Sequence, residues 1–583
     1  MNDASMWRLT LAQKVLAPYV ANPKVRVVEI AGSVGYGFAD RYSDLDVLVF
    51  WDAPPSDEER MVAIKNVQAV VVSFHPYDDQ TQQGTEVYFV AGDPATGIMF
   101  DVSHQLVAGV EQLLAEVLDQ GDSIFKKQRA VGGIQHAAVL HGAELAAQWQ
   151  ARATVYPNAL ARATVQQFLT FGPHWTLEML AERGEVLFLR DICWEAIYKI
   201  LPVLMGLNGI YYHSFKYLHR HLANIPIAPP DLWPRLLQVL RADVHTSSDL
   251  LRALIAETFL LVETHLPELD TTEARQRWEQ PAPANITAVD GTRQAVLRQA
   301  TSLYAANSAI QAVILTGSVA QGYPDRFSDL DLIVVWTELP SVEIRHGLLR
   351  QAGTKVQQLD LPNPEEPASV DYCDVDEIRL DIRHVTVTEI EGLLHDVLEK
   401  ADTALPKQPL LAGLQHGRAL YGTALAQQWQ VRLNSYPPAL VHAMVREHLD
   451  FGPHWRWEGL AERDDVLFLY AWMLGELRNI VTVLAALNHI YHPAQMWANW
   501  FPKVKWFDHF AASLRITPTD FAARCKQVLA METPVARAVL YALIEETFTL
   551  VEMHMPEIDT AAAKVEFRHR RKGWDQAPDN LLS

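Results

Sequence analysis

The sequence predicts an α/β (α+β) domain followed by an all-α helical bundle, with that pair duplicated in tandem. Three observations predict it. Long segments recur 280 to 289 residues apart, which is too long a period for a solenoid and marks a repeated module. Short β-rich runs gather in the first part of each copy. Through the remainder of each copy, apolar residues recur at three- and four-residue spacing.

The first copy opens with a helical pattern, "WRLTLAQKVLAPYV". The β-rich runs "KVRVVEIAG", "LDVLVFW", "TEVYFVAG" and "IMFDVSH" follow, interrupted by a helical "EERMVAIKNVQAV". Strands mixed with helices over so short a stretch suit an α/β or α+β domain. After "GVEQLLAEVL" the β signal fades. Segments such as "ALARATVQQFLTF" and "VLFLRDICWEAIYKILPVLMGL" then predict a helical bundle. The second copy repeats the plan. "FGPHWTLEMLAERGEVLFL" (Phe171 to Leu189) matches "FGPHWRWEGLAERDDVLFL" (Phe451 to Leu469), and "GIQHAAVLHGAELAAQWQAR" matches "GLQHGRALYGTALAQQWQVR". The expected domains are 1–120, 121–280, 286–400 and 401–575. The seam falls in the proline-bearing "WEQPAPANITAVDG", Trp278 to Gly291.

Composition narrows the function classes. The chain has 583 residues, 49% of them hydrophobic, which is enough for several packed cores. No long uninterrupted apolar run appears, and the N-terminus lacks the layout of a secretory signal, so no membrane association is expected. Cys193, Cys373 and Cys525 are far apart, which excludes CxxC clips and suits a reducing cytoplasm. A net charge of −21 disfavours general nucleic-acid binding and favours cationic small molecules.

One motif carries chemistry in both copies. "AGSVGYGFADRYSDLDVLVFW" starts at Ala31 and "LTGSVAQGYPDRFSDLDLIVVW" at Leu315. Alternate residues of a strand share a face, so Asp44 and Asp46 project together, as do Asp329 and Asp331. Two carboxylates so placed repel one another, and a divalent cation relieves the repulsion. Hard oxygen ligands suit Mg²⁺, whose shell is completed by water and phosphate. Gly32 and Ser33, like Gly317 and Ser318, end a strand at a turn where backbone N–H groups and a hydroxyl can receive a triphosphate. A third carboxylate, Asp101 in "IMFDVSH" or Asp381 in "IRLDIRH", sits in an apolar strand, where ligation would offset its desolvation. It is also placed to take a proton from an attacking hydroxyl.

This constellation resembles the nucleotidyltransferase superfamily with the polymerase-β-like fold: Gly-Ser, a spacer, Asp-x-Asp, and a later Asp on an adjacent strand. In layout the helical second portion is similar to kanamycin-type antibiotic nucleotidyltransferases and to minimal nucleotidyltransferases paired with helical partners. The resemblance implies a small mixed sheet, two Mg²⁺ per active site, and an ATP or other NTP substrate whose NMP is transferred as pyrophosphate leaves. Gly32, Ser33, Gly317 and Ser318 would then bind nucleotide. Asp44, Asp46, Asp101, Asp329, Asp331 and Asp381 would hold metal, with Asp101 and Asp381 nearest the acceptor hydroxyl.

Other residues have two readings each. Arg41 and Arg326 precede the Asp-x-Asp and either neutralise phosphate or cap a loop. His104 and His384 touch phosphate or acceptor, or are structural. Glu182 and Glu462 bind an acceptor or are ordinary helix charges. The basic "FRHRRKGW" is a solvated end by default. The expected activity is Mg-dependent transfer of an NMP, AMP foremost, to a hydroxyl of a small-molecule acceptor, with a cationic one favoured by the acidic balance. The alternatives are nucleotidylation of a protein or tRNA, as in toxin–antitoxin pairs, and a nucleotide-binding sensor or scaffold without turnover. A cytoplasmic monomer is expected, its two copies packed as a pseudo-dimer.

Overall fold

The structure, a computed structural model, describes all residues except 213–215, 224, 283–289, 352–354, 359–368, 376–377, 493, 497–501, 505, 531–532 and 578–583. Half of the expected linker at the seam, residues 283–289, therefore lies outside the described residues. Strands β1 to β6 are Val25–Ile30, Leu45–Trp51, Val70–Asp78, Gln83–Val90, Ile98–Leu106 and Ala138–His141. Strands β7 to β12 are Ile310–Thr316, Leu330–Trp336, Lys355–Gln358, Ser369–Val375, Ile378–Thr386 and Arg418–Tyr421. They form two mixed sheets of identical order, β3-β4-β5-β2-β1-β6 and β9-β10-β11-β8-β7-β12.

The central pairs β2/β5 and β8/β11 are parallel, and the other pairs are antiparallel. Parallel central strands demand cover on both faces. Leu45, Val47, Val49 and Trp51 join the core beneath helix Asp3–Val15. Phe50 faces the other way, onto Leu114 and Trp149. Two strands of the first half carry no readable sequence signal. β3 is largely exposed, so it shows no clean alternation of burial. β6 has four residues, too few for a period to show.

His104 and His384 prove to be structural. The indole N–H of Trp51 donates to Nδ1 of His104 (3.0 Å), whose Nε2 meets Glu86 (2.6 Å), itself paired with Arg60. Trp336, His384, Asp371 and Arg345 repeat this buried network. A buried carboxylate between His and Arg is compensated, which explains why so polar a cluster is tolerated in a core.

The helical portions are led by Val186–Leu207 and Val466–Leu487, packed against Val244–His265 and Thr533–His554. Their buried residues form one continuous core, so the two halves are not separable bodies. Val466–Leu487 is the one helix among the described residues long and apolar enough to cross a membrane, and it is mostly buried inside the protein.

Candidate active site

Strand register assembles the acidic trios. Asp46 lies opposite Asp101 across β2/β5, and Asp331 opposite Asp381 across β8/β11. The glycine before each serine is dictated by the second Asp of the motif. Gly32 (φ +57°) and Gly317 (φ +68°) adopt left-handed backbone, and a Cβ there would fall 1.8 Å from Asp46 Oδ2 or 1.9 Å from Asp331 Oδ2. Only glycine fits such a backbone–carboxylate approach. From sequence this glycine is expected to admit a ligand, and in the structure its immediate neighbour is the carboxylate.

Asp329, Asp331 and Asp381 bring one ligand oxygen each within 4.8 Å of the others. Among the described residues no other set of three acidic, His or Cys side chains gathers so tightly. The carboxylates and the cradle at Gly317 fit a hard divalent ion. The trio opens into a cleft of about 1170 Å³, ample for more than one small ligand. Arg383, two residues beyond Asp381, lines it, as do His416, Trp506, His509 and Arg515. Tyr323 stacks on His509 with centroids 4.4 Å apart. None of these is singled out by the sequence, since no local spacing brings residues 383, 416 and 509 together. Ser318 lies at the same wall, but its hydroxyl donates to Ser328 Oγ (3.0 Å), which receives the Asp325 N–H. The serine thus braces the turn that carries the trio.

The first trio sits in different company. The Asp46 carboxyl is pushed up to about 7 by burial and then by Asp44, while Lys216 and Arg129 pull it down. Desolvation and Asp44 also raise Asp101. Repeat alignment places Pro409 at the position of Arg129. Near Asp44 stands Arg571, whose guanidinium is buried and lies over Trp455. The basic C-terminal segment is therefore not a solvated end. Lys572 N–H bonds Ala95 O and Trp574 N–H bonds Arg41 O, both at 2.7 Å, strapping it onto the first sheet. Tyr36 packs between His136 (4.7 Å) and His221 (5.1 Å), and its hydroxyl donates to Gly132 O (3.2 Å). Its repeat counterpart, Gln321, lines the second cleft.

Arg41 and Arg326 have carboxylate partners in the opposite half. Arg41 bonds Glu462 (2.9 Å), and Arg326 Nε bonds Glu182 (2.7 Å). Beside them Arg183 grips Asp325 with two bonds of 2.5 and 2.8 Å, and Arg463 grips both oxygens of Asp40. The Tyr217 N–H donates to Asp465 and the Phe507 N–H to Glu185, again across halves. The repeated "LAER" segment thus reaches the Asp-bearing turn of the other half, and Arg183 itself lines the second cleft.

The fold and site define a mixed α/β protein with a helical portion and a carboxylate trio at the strand ends, spaced so that it could hold a metal ion. No protein-family model matches the chain, and no curated protein matches it. Among solved structures it is similar to a nucleotidyltransferase-like protein from Exiguobacterium sibiricum 255-15, at 14% identity and a TM-score of 0.22, over 46% of this chain and 81% of that one.

Proposed function

We propose that this protein is a Mg-dependent nucleotidyltransferase that moves an NMP, AMP foremost, from an NTP to a hydroxyl of a small-molecule acceptor, and that the second-half cleft is where it works. The observation that carries this reading is the Asp329–Asp331–Asp381 trio at the floor of that cleft. These three carboxylates would hold Mg²⁺, which supplies charge neutralisation and orientation for in-line displacement. Arg383 and Arg515 face the space available to the phosphates. Trp506 and the stacked Tyr323–His509 pair offer an aromatic wall for a base. In the transfer, the acceptor oxygen forms a bond to the α-phosphorus, the bond from that phosphorus to the bridging oxygen breaks, and pyrophosphate leaves. Asp381, at the cleft, takes the proton of the acceptor hydroxyl.

We read the chain as a tandem duplication folded as a pseudo-dimer. The identical strand orders and the reciprocal Arg183–Asp325 and Arg463–Asp40 pairs support this. The first-half trio is assigned a supporting role, because Arg571 and Arg129, which have no arginine counterpart in the second half, already oppose its charge.

The test is incubation of the chain with α-labelled ATP, Mg²⁺ and acceptor pools. Label should pass to a small molecule, be abolished by Asp329→Ala and persist in Asp44→Ala. Label on protein or tRNA would select a macromolecular acceptor, and retained ATP binding without label transfer a sensor. Full transfer by Asp329→Ala would remove the second-half assignment.

A further inference from the structure

Helices Val186–Leu207 and Val466–Leu487 each run into an asparagine, Asn208 or Asn488, that pins a later turn. In the first half the Asn208 side chain donates to Ile227 O (2.8 Å) and accepts the Ile227 N–H (3.0 Å). In the second half Asn488 makes the same two bonds to Ile516, at 2.8 and 2.9 Å. These shared bonds make Ile227 and Ile516 equivalent, and with them Pro226 and Arg515, the residues just before. The Arg515 N–H adds a bond to Asn488 Oδ1 (2.7 Å) that a proline cannot make.

Two residues at this pin differ between the halves. Arg515 stands where the first half has Pro226, and His489 where it has Gly209. Asn488, His489 and Arg515 all line the candidate nucleotide cleft. His489 keeps the left-handed backbone of its glycine counterpart, with φ +58° against +66°. A side chain makes that conformation costly, and strain of this kind gathers at functional sites. The imidazole is held by stacking on Tyr436, with centroids 5.6 Å apart and planes within 11°. Arg515 is exposed, and its guanidinium has no carboxylate partner among the described residues.

The charge of the cleft points the same way. Among the described residues lining it, the only carboxylates are the Asp329–Asp331–Asp381 trio, which the proposed reaction commits to metal. The net charge of −21 is therefore not the charge of this lining. An acceptor bearing an ammonium group would find no further acid there. A phosphate or carboxylate would meet a planar guanidinium fork and an imidazole N–H. Arg383 is two residues from Asp381 on a floor strand, whereas Arg515 belongs to the helical wall.

We infer that Arg515 and His489 form a subsite for an anionic group, a phosphate or a carboxylate, carried by the acceptor. The guanidinium takes two oxygens of the anion and the His489 N–H donates to it, on a backbone that Asn488 holds in place. That the anion belongs to the acceptor rests on the nucleotidyl-transfer reading; the anion subsite itself does not.

Isothermal titration of the full chain, without nucleotide, tests it with glucose 6-phosphate, glycerol 3-phosphate and gluconate, and with glucosamine as the cationic control. We expect at least one anion to bind saturably and glucosamine to give no heat. Arg515→Ala should weaken the anion about tenfold or more. His489→Gly should weaken it severalfold yet melt no lower than the natural chain, since glycine suits that backbone. Saturating ATP with Mg²⁺ should leave the anion bound. Absence of heat from all three anions up to millimolar concentration would overturn the inference, as would equal affinity in Arg515→Ala or tighter binding of glucosamine. Displacement of the anion by ATP would overturn it too, by assigning Arg515 to the triphosphate. ATP titrations of the same proteins separate the two readings: a chain that holds the anion through Arg515 but takes no ATP would sink nucleotidyl transfer and leave the subsite standing.

Discussion

Gly317 and Asp331 are sterically interlocked: a single added carbon on the glycine would lie 1.9 Å from the Asp331 carboxylate oxygen. Gly317→Ala therefore has to displace Asp331 as well as strain a left-handed backbone. We expect a stability loss of about 2 kcal/mol and loss of Mg²⁺-dependent ATP binding. Gly322 is the control, because it too has positive φ (+89°) but open space around it. Gly322→Ala should cost about 1 kcal/mol and leave binding intact. Equal ATP affinity in both variants, read by titration, would break the link between the glycine and the trio.

The Arg183–Asp325 pair joins the halves at the rim of the second cleft. Desolvation alone would raise Asp325, yet Arg183 holds its carboxyl below the usual range. Arg183→Ala leaves that charge partly buried without its fork of donors, and should cost about 2 kcal/mol in urea unfolding. In a double-mutant cycle with Asp325→Asn the coupling should exceed about 1 kcal/mol. Additive losses would show that the pair is incidental.

Glu29 makes the folded state sensitive to alkali. It is fully buried on β1, both carboxylate oxygens lack hydrogen-bond partners among the described residues, and burial pushes it up to about 8. Below its unfolded value of 4.5 both states are protonated and Glu29 adds no pH dependence. As pH rises from there to about 8 the unfolded chain loses the proton while the folded one keeps it, so stability falls. The second half carries Ile314 at this place. Each tenfold difference in proton affinity between the folded and unfolded chain is worth about 1.4 kcal/mol. Glu29→Ile should therefore stabilise the protein by a few kcal/mol near pH 8 and by much less near pH 5. Urea midpoints that move equally at both pH values would refute this.

Arg571 and Tyr36 distinguish the first-half site from the second. Replacing both, Arg571→Ala with Tyr36→Gln, removes a guanidinium near Asp44 and installs the second-half residue at the cleft wall. Calorimetry with Mg²⁺ and ATP should show the binding stoichiometry rise from one toward two. An unchanged stoichiometry, with the protein folded by circular dichroism, would mean that other features silence the first half.

Much of the fold is legible because its signals are local. The alternation in "LDVLVFW" reports a strand buried on one face by a helix, and the opposite face places Asp44 and Asp46 together before any sheet is seen. The helical portions announce themselves through 3.6-residue periodicity. Edge strands β3 and β6 escape for the converse reason: little of β3 is buried, and β6 is shorter than the period that would reveal it. The arginines before Asp-x-Asp read as phosphate ligands because their carboxylate partners lie in the other half of the chain.

The sequence by itself determined the two matching sets of segments and the strands that carry the acids. These are consequences of side-chain periodicity and backbone sterics over a few residues. The tertiary structure alone decided that one trio closes to within 4.8 Å at a broad cleft while the other faces Arg129 and Arg571. It alone brought Arg515 to Asn488 and His489 on the wall of that cleft. Charge and volume at those places are set by residues from distant segments, and their sum exists only once the chain has packed.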